Sequence, residues 1–203
     1  MKQEETIIIT GVLQMSSSYR ESLNTWLSQQ EVKAGTVYDV GGSQEQLERR
    51  VKSWEVSEYV IFDLPNPHKG KKPDVAVDIN LHAPILDGYK GMADAVYCLE
   101  VFEYVYDPVR AMKNLASILK PTGRIYASFP FYYPVHQPIE QDYLRYTLAG
   151  IKKYAELAHL KVVNVTKRKP DSYGLLHFNS VERLRGAKEY DHNTLGYICT
   201  FTK

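Results

Sequence analysis

Cysteine is scarce: the 203-residue chain carries two, Cys98 and Cys199. Each lies inside an apolar run that reads as a strand, which points to buried, inert thiols and away from a disulfide framework or a nucleophile. No group of His, Cys and carboxylate side chains has zinc spacing, so no metal is expected. An excess of one charge is missing as well. With 25 Lys and Arg against 24 Asp and Glu, the formal net charge is +1, too little for a whole-protein field that draws in nucleic acid or an acidic membrane. The basic runs Lys69–Lys72 and Lys167–Lys169 read as solvated faces. Long hydrophobic runs are lacking: Ile7–Leu13 is interrupted by Thr10 and Gly11, too short and too broken for a signal peptide or a membrane span. A cytoplasmic protein is expected, with neither nucleic acid nor membrane as partner. There are no repeats, low-complexity tracts or linkers, and the length suits one domain over residues 1–203.

Tyrosine, by contrast, occurs 16 times, with several residues between Tyr126 and Tyr146, so that region should present aromatic surface carrying hydroxyls. Ser18-Tyr19-Arg20-Glu21 fits a capping box, and Leu23, Trp26 and Leu27 follow at helical spacing, giving a helix over 18–30 ahead of the first strand. Strands are expected at Thr36–Val40, Tyr59–Asp63, Val75–Asp78, Ala93–Leu99, Arg124–Phe129, Leu160–Thr166 and Leu195–Phe201. A helix over Gln44–Lys52 would place Leu47 and Val51 on one face. Asp107-Pro108 starts another, with the stripe Val109, Met112, Leu115, Ala116 and Leu119, stopped by Pro121-Thr122-Gly123. A third is expected at Thr147–His159. Pro65–Pro73 and Pro170–Asn193 read as long loops. Strands apolar on both faces that alternate with helices imply an α/β fold with a mostly parallel sheet of about seven strands, helices on both sides and an antiparallel C-terminal edge pair.

The stretch Thr36–Gln44 reads as strand, tight turn and helix start. Gly41 and Gly42 allow close approach of backbone to a ligand, and Asp39 closes the strand. Asp63, Asp78 and Glu100 then stand at or just past the ends of the next three strands, the edge where open parallel sheets bind ligands. A carboxylate after the second strand suits ribose hydroxyls, and the following acid suits an adenine amino group. Phosphate is disfavoured by an acid-lined rim and by the lack of a G-x-x-x-x-G-K-[ST] loop. A cofactor with ribose, adenine and a cationic end, such as S-adenosylmethionine, fits better.

On these residues the chain resembles the class I S-adenosylmethionine-dependent methyltransferases over most of its length. Val37–Ser43 is similar to the family's first motif, with Ser43 in place of a glycine. Ile61-Phe62-Asp63 is similar to the ribose-binding segment and Val77-Asp78-Ile79 to the adenine-side motif. Leu99–Pro108, continuing to Leu119–Arg124, resembles the "evlEHv-dp … LkPGG" block, with Tyr104 and Thr122 as departures. Phe129–His136 with Asp142–Thr147 resembles a branch that methylates sugars and other small metabolites. The resemblance implies a Rossmann-like three-layer sandwich and S-adenosylmethionine contacts from Asp39, Gly41, Gly42, Ser43, Asp63, Leu64, Asp78, Ile79 and Glu100. The N-terminal helix would cover the cofactor side, with Tyr19 and Arg20 over the amino-acid end.

The implied activity is methyl transfer to a small molecule or glycan. His136, the only histidine of the aromatic loop, is the candidate base. Tyr132, Tyr133, Tyr143 and Arg145 are candidate acceptor contacts, and Asp142 with Arg145 is expected to pair and anchor the loop. No inserted cap domain is evident, so loops, the N-terminal helix or a homodimer partner must complete the acceptor pocket. Two alternatives stand beside this reading. The departures at Ser43 and Tyr104 suit a catalytically silent binding or scaffold protein. An RNA or DNA methyltransferase ranks third, for want of an Asn/Asp-Pro-Pro-aromatic signature and of basic charge.

Overall fold

The computed structural model describes residues 18–67, 70–169 and 194–203. In chain order these form α1 (Ser18–Leu27), β1 (Glu31–Val40), β2 (Ser53–Asp63), β3 (Val75–Ala76), β4 (Ala93–Cys98), α2 (Pro108–Ile118), β5 (Leu119–Pro130), α3 (Leu148–Leu157), β6 (Lys161–Arg168) and β7 (Gly196–Thr202). The expected loop Pro170–Asn193 and the run Ile7–Leu13 lie outside the described residues. The seven strands make one sheet in the order β3-β2-β1-β4-β5-β7-β6. Pairing is parallel from β3 through β5 and antiparallel at β5–β7 and β7–β6, the Rossmann-like arrangement expected.

Alternation along the strands decides which helix each residue meets. Val37, Ala95, Tyr97, Leu99 and Ile198 face α1 through Leu23 and Leu27. Their neighbours Tyr38, Val96 and Cys98, with Phe129 and Phe201, face α2 and α3 through Met112, Leu115, Ile151 and Ala155. Full burial of each such aliphatic side chain contributes about 1.5–3 kcal/mol. Asp107 caps α2 by accepting from Arg110 N, with Pro108 in the first turn, and Thr147 caps α3 by accepting from Gly150 N. Both cysteines are buried and free.

Two expectations are corrected. Residues 44–52 do not form a helix; only Leu47–Arg49 makes a 3-10 turn. The register pairs Glu31 with Ser53 and Val40 with Phe62, so the link must return along the whole of β1, about 30 Å at strand rise. A helix over residues 41–52 would span only about 18 Å, and the link instead runs as turns and bends around the 3-10 turn. Rings from the sheet occupy part of this face: Trp54 meets Tyr59 edge-on at 5.2 Å and Tyr97 stacks on Tyr126 at 4.7 Å. Second, Pro121-Thr122-Gly123 does not separate α2 from the next strand. The helix ends at Ile118, and β5 begins at Leu119 and carries the tripeptide. Its pairing steps from Leu119 against Ala93 to Arg124 against Ala95, a bulge that absorbs the proline and glycine.

Among the described residues, no helix is long and apolar enough to cross a membrane, and no group of three or more His, Cys, Asp or Glu is placed to hold a metal ion.

Candidate functional site

At the end of β1 the chain turns at Gly41, whose φ is +84° and whose N–H donates to Phe62 O at 2.7 Å. A Cβ there would lie 2.3 Å from Val101 Cγ2, so glycine is required by backbone and by space. Asp39 is buried beneath this turn, accepting from the Tyr59 hydroxyl at 2.5 Å, and Tyr59 in turn accepts from Leu47 N. Burial lifts the Asp39 carboxyl to about 6, against the opposing pull of the Tyr59 bond and Arg50. Gly42 packs on the same carboxylate, where a Cβ would lie 2.3 Å from Asp39 Oδ2. Ser43 is buried, its N–H donating to Asp63 Oδ2 at 3.2 Å and its hydroxyl meeting no partner among the described residues.

Asp63 closes β2 and also accepts from Leu64 N at 2.7 Å. Beyond β3, Asp78 Oδ1 accepts from Asn80 N and Nδ2. Glu100 follows β4 at φ +58°, in the left-handed region that non-glycine residues seldom adopt. Ser128 fixes it from β5, accepting from Glu100 N at 2.7 Å and donating to Oε1 at 2.8 Å.

These strand ends enclose a cavity of about 400 Å³, within the range of small-ligand sites. Of the residues proposed from sequence, Gly41, Asp63, Leu64, Asp78, Ile79 and Glu100 line it, while Asp39, Gly42 and Ser43 lie outside its wall. Asn80, Val101, Tyr104, Pro138 and Gln141 complete the side towards the aromatic loop. The wall holds three carboxylates and no Lys, Arg or His among the described residues. A wider, open depression of about 730 Å³ lies near the start of β1 and β2, beside Lys33, Glu55 and Asp94, and contains none of these strand-end acids.

Sequence reasoning missed the group behind Glu100. Arg168 at the end of β6 is fully buried and pairs with Glu100, Nη1 to Oε1 at 2.5 Å and Nη2 to Oε2 at 3.3 Å. It also donates to the Tyr19 carbonyl, and its guanidinium carbon sits 3.2 Å from the Tyr19 ring centroid. The run Lys167–Lys169 is therefore not uniformly a solvated face: its middle residue turns inward on the strand period, while both lysines are exposed.

Glu103, also missed, is 4% exposed and its Oε2 has no hydrogen-bond partner among the described residues. Burial, then the negative charge of Glu100, raises its carboxyl from 4.5 to about 8. Because the folded value stands above the ordinary one, Glu103's contribution to stability is full below pH 4.5 and lost as pH rises through about 8. Glu103→Gln, which cannot ionise, is expected to raise the thermal midpoint by roughly 5 °C at the upper end of that window and to leave it unchanged at the lower end. Paired melting curves at the two ends check this; equal midpoints at both would contradict it.

The aromatic loop is held by charge. Arg145 grips Asp142 with two bonds, 2.5 and 2.6 Å, and donates to the carbonyls of Tyr133, Pro134 and Leu144. The expected Asp142–Arg145 pair is thus formed. Asp142 also accepts from His136 N at 2.5 Å. The exposed His136 ring sits between Tyr104, to whose hydroxyl Nδ1 is hydrogen-bonded, and Tyr133, centroids 6.0 Å apart. Tyr133 packs on Tyr19 of α1 at 4.2 Å. Tyr132 and Tyr143 are exposed, Tyr143 edge-on to Tyr106. His136, Tyr132, Tyr133, Tyr143 and Arg145 do not line the cavity, but Tyr104, Pro138 and Gln141 join it to their loop.

Comparison with known proteins adds three findings. A family model described as a methyltransferase domain matches residues 13–165. A search of curated proteins gave no match. Several solved structures share the fold. The complex between the Haloferax volcanii Trm112 methyltransferase activator and a methyltransferase matches with TM-score 0.60 at 18% identity, covering 91% of this chain and 88% of that one. An S-adenosylmethionine-dependent methyltransferase from Archaeoglobus fulgidus matches with TM-score 0.60 at 12% identity, covering 92% of each chain. The Burkholderia thailandensis 1,6-didemethyltoxoflavin-N1-methyltransferase, with 1,6-didemethyltoxoflavin and S-adenosylhomocysteine bound, matches with TM-score 0.55 at 13% identity, covering 92% of this chain and 78% of that one.

Proposed function

The chain belongs to the class I S-adenosylmethionine-dependent methyltransferases, and from that premise we propose that it methylates a small-molecule or glycan acceptor, with the cofactor in the cavity at the ends of β1–β4. The family's cofactor is S-adenosylmethionine. The observation that carries the assignment is the wall itself, where Asp63, Asp78 and Glu100 stand with no cationic side chain among the described lining residues. Such a wall favours a cationic sulfonium and opposes phosphate.

Asp63, with each oxygen accepting one backbone N–H, retains lone pairs for two ribose hydroxyls. Asp78 and Ile79 border the adenine side, and Leu64 covers it. Gly41 leaves room for the nucleoside's approach, while Asp39, Gly42 and Ser43 support the turn from behind. Glu100, already tied to Ser128 and Arg168, is a fixed wall and not a proton acceptor. When bound, S-adenosylmethionine supplies a methyl group activated by the positive sulfur. His136 takes the acceptor's proton, and Tyr132, Tyr133 and Tyr143 contact the acceptor on a loop braced by Arg145.

The small-molecule and glycan reading draws on the aromatic loop, on the near-neutral charge and on the toxoflavin-type neighbour. Methyl-labelled S-adenosylmethionine offered with metabolite, glycan and RNA fractions tests it. Label in a metabolite or glycan is the expected result. Label confined to RNA would contradict the acceptor class. Cofactor binding with no label in any fraction would favour the silent binding protein, the second reading, which draws on the departure at Ser43, buried and with its hydroxyl unpartnered among the described residues.

A further inference from the structure

Tyr104 lines the cavity and its hydroxyl touches two groups of the aromatic loop. One is Gln137 O at 2.8 Å, to which the hydroxyl donates; the other is His136 Nδ1. A phenol has one proton, and a carbonyl oxygen can only accept. With that proton on Gln137 O, the bond to His136 requires Nδ1 to be the donor and the Tyr104 oxygen the acceptor. A neutral imidazole whose Nδ1 is protonated carries its lone pair on Nε2. The main chain fixes the same ring from the other side, since His136 N donates to Asp142 Oδ2 and Arg145 clamps both Asp142 oxygens.

We infer that Tyr104 is a positioning residue which holds neutral His136 in its Nδ1–H form, so that Nε2 is the atom that accepts the acceptor's proton. This rests on the proposed methyltransferase reading. The proton leaves the acceptor's oxygen or nitrogen for Nε2 and yields an imidazolium. Its Nδ1–H keeps the Tyr104 bond, so the Tyr104 proton, held on Gln137 O, need not move. Position 104 does not need a histidine for this role. It needs a group that accepts from Nδ1 while its own proton is bound elsewhere, and Tyr104 meets both conditions.

The test needs neither cofactor nor acceptor, so its failure is separate from failure of the cofactor assignment. Nitrogen-15 NMR of the imidazoles, at a pH where they are neutral, reports which ring nitrogen carries the proton. The chain has six histidines, and loss of one signal set in His136→Gln identifies the relevant ring. The expected result is Nδ1–H in the wild type and a return to the Nε2–H form, which dominates in free histidine, in Tyr104→Phe. Tyr106→Phe, a change on the exposed neighbouring ring, should leave the wild-type pattern. An Nε2–H ring in the wild type overturns the inference without reference to any variant. An Nδ1–H ring that persists in Tyr104→Phe overturns it also, by removing Tyr104 as the cause.

Discussion

Asp63→Ala is expected to weaken binding of S-adenosylhomocysteine by at least about 100-fold, measured by titration calorimetry against the wild type. The size follows from two lost hydrogen bonds from ribose hydroxyls to a charged acceptor, about 1.5–3 kcal/mol each. Part of the loss comes from the turn, because Asp63 Oδ2 also accepts from Ser43 N and Oδ1 from Leu64 N. Asp63→Asn separates the contributions: its one remaining oxygen can accept from one backbone N–H and one ribose hydroxyl, while its NH2 group can accept from neither. An intermediate loss is expected for it. If Asp63→Ala binds as tightly as the wild type, the cofactor lies elsewhere.

Arg168→Ala should produce the largest loss of stability at a single position. Removing one partner of a buried ion pair costs about 3–5 kcal/mol, because the other charge is left uncompensated. For a chain of this size that is a fall in thermal midpoint of about 6–20 °C. Glu100 would keep Ser128 but lose its cation, and Tyr19 would lose both the bond to its carbonyl and the guanidinium over its ring. The α1 amides should therefore exchange with solvent faster. Combining Arg168→Ala with Glu100→Gln should recover part of the loss, since the unpaired carboxylate is then gone, and a double-mutant cycle measures the coupling. A midpoint within about 2 °C of the wild type for Arg168→Ala would mean that the pair contributes nothing net.

Why Arg168 escaped notice in the sequence is instructive. Between two lysines it has the look of a basic run, and its role depends on a partner on another strand, Glu100. Only the strand period, which turns every second residue inward, hinted at it. The strand-end acids were legible for the opposite reason: each closes a run of β-branched and aromatic residues, and parallel topology then gathers the ends. Asp63, Asp78 and Glu100 reach one cavity through that topology. Asp39 reads the same in sequence, yet its side chain turns under the glycine turn to Tyr59, a choice that strand patterning cannot reveal.

Helix length was the other blind spot. Leu47 and Val51 have helical spacing, but the alternation of Trp54 and Val56 already marked an earlier start to β2. Once both strands are long, geometry denies the link between them a helix. Tyr104, read from sequence as a departure from the family's histidine, sits in the cavity wall with its hydroxyl on His136 and Gln137. The physical requirement is a donor and acceptor at that point, which residue identity alone does not disclose.

A crystal structure of the wild-type protein grown with S-adenosylhomocysteine tests the central claim most directly. The predicted result is the nucleoside in the cavity at the ends of β1–β4, its ribose hydroxyls on Asp63 and its adenine beside Asp78 and Ile79. The homocysteine end should run along Gly41 towards Glu100. A cavity still closed to ligand at saturating concentration, or a nucleoside bound away from Asp63, would contradict the account.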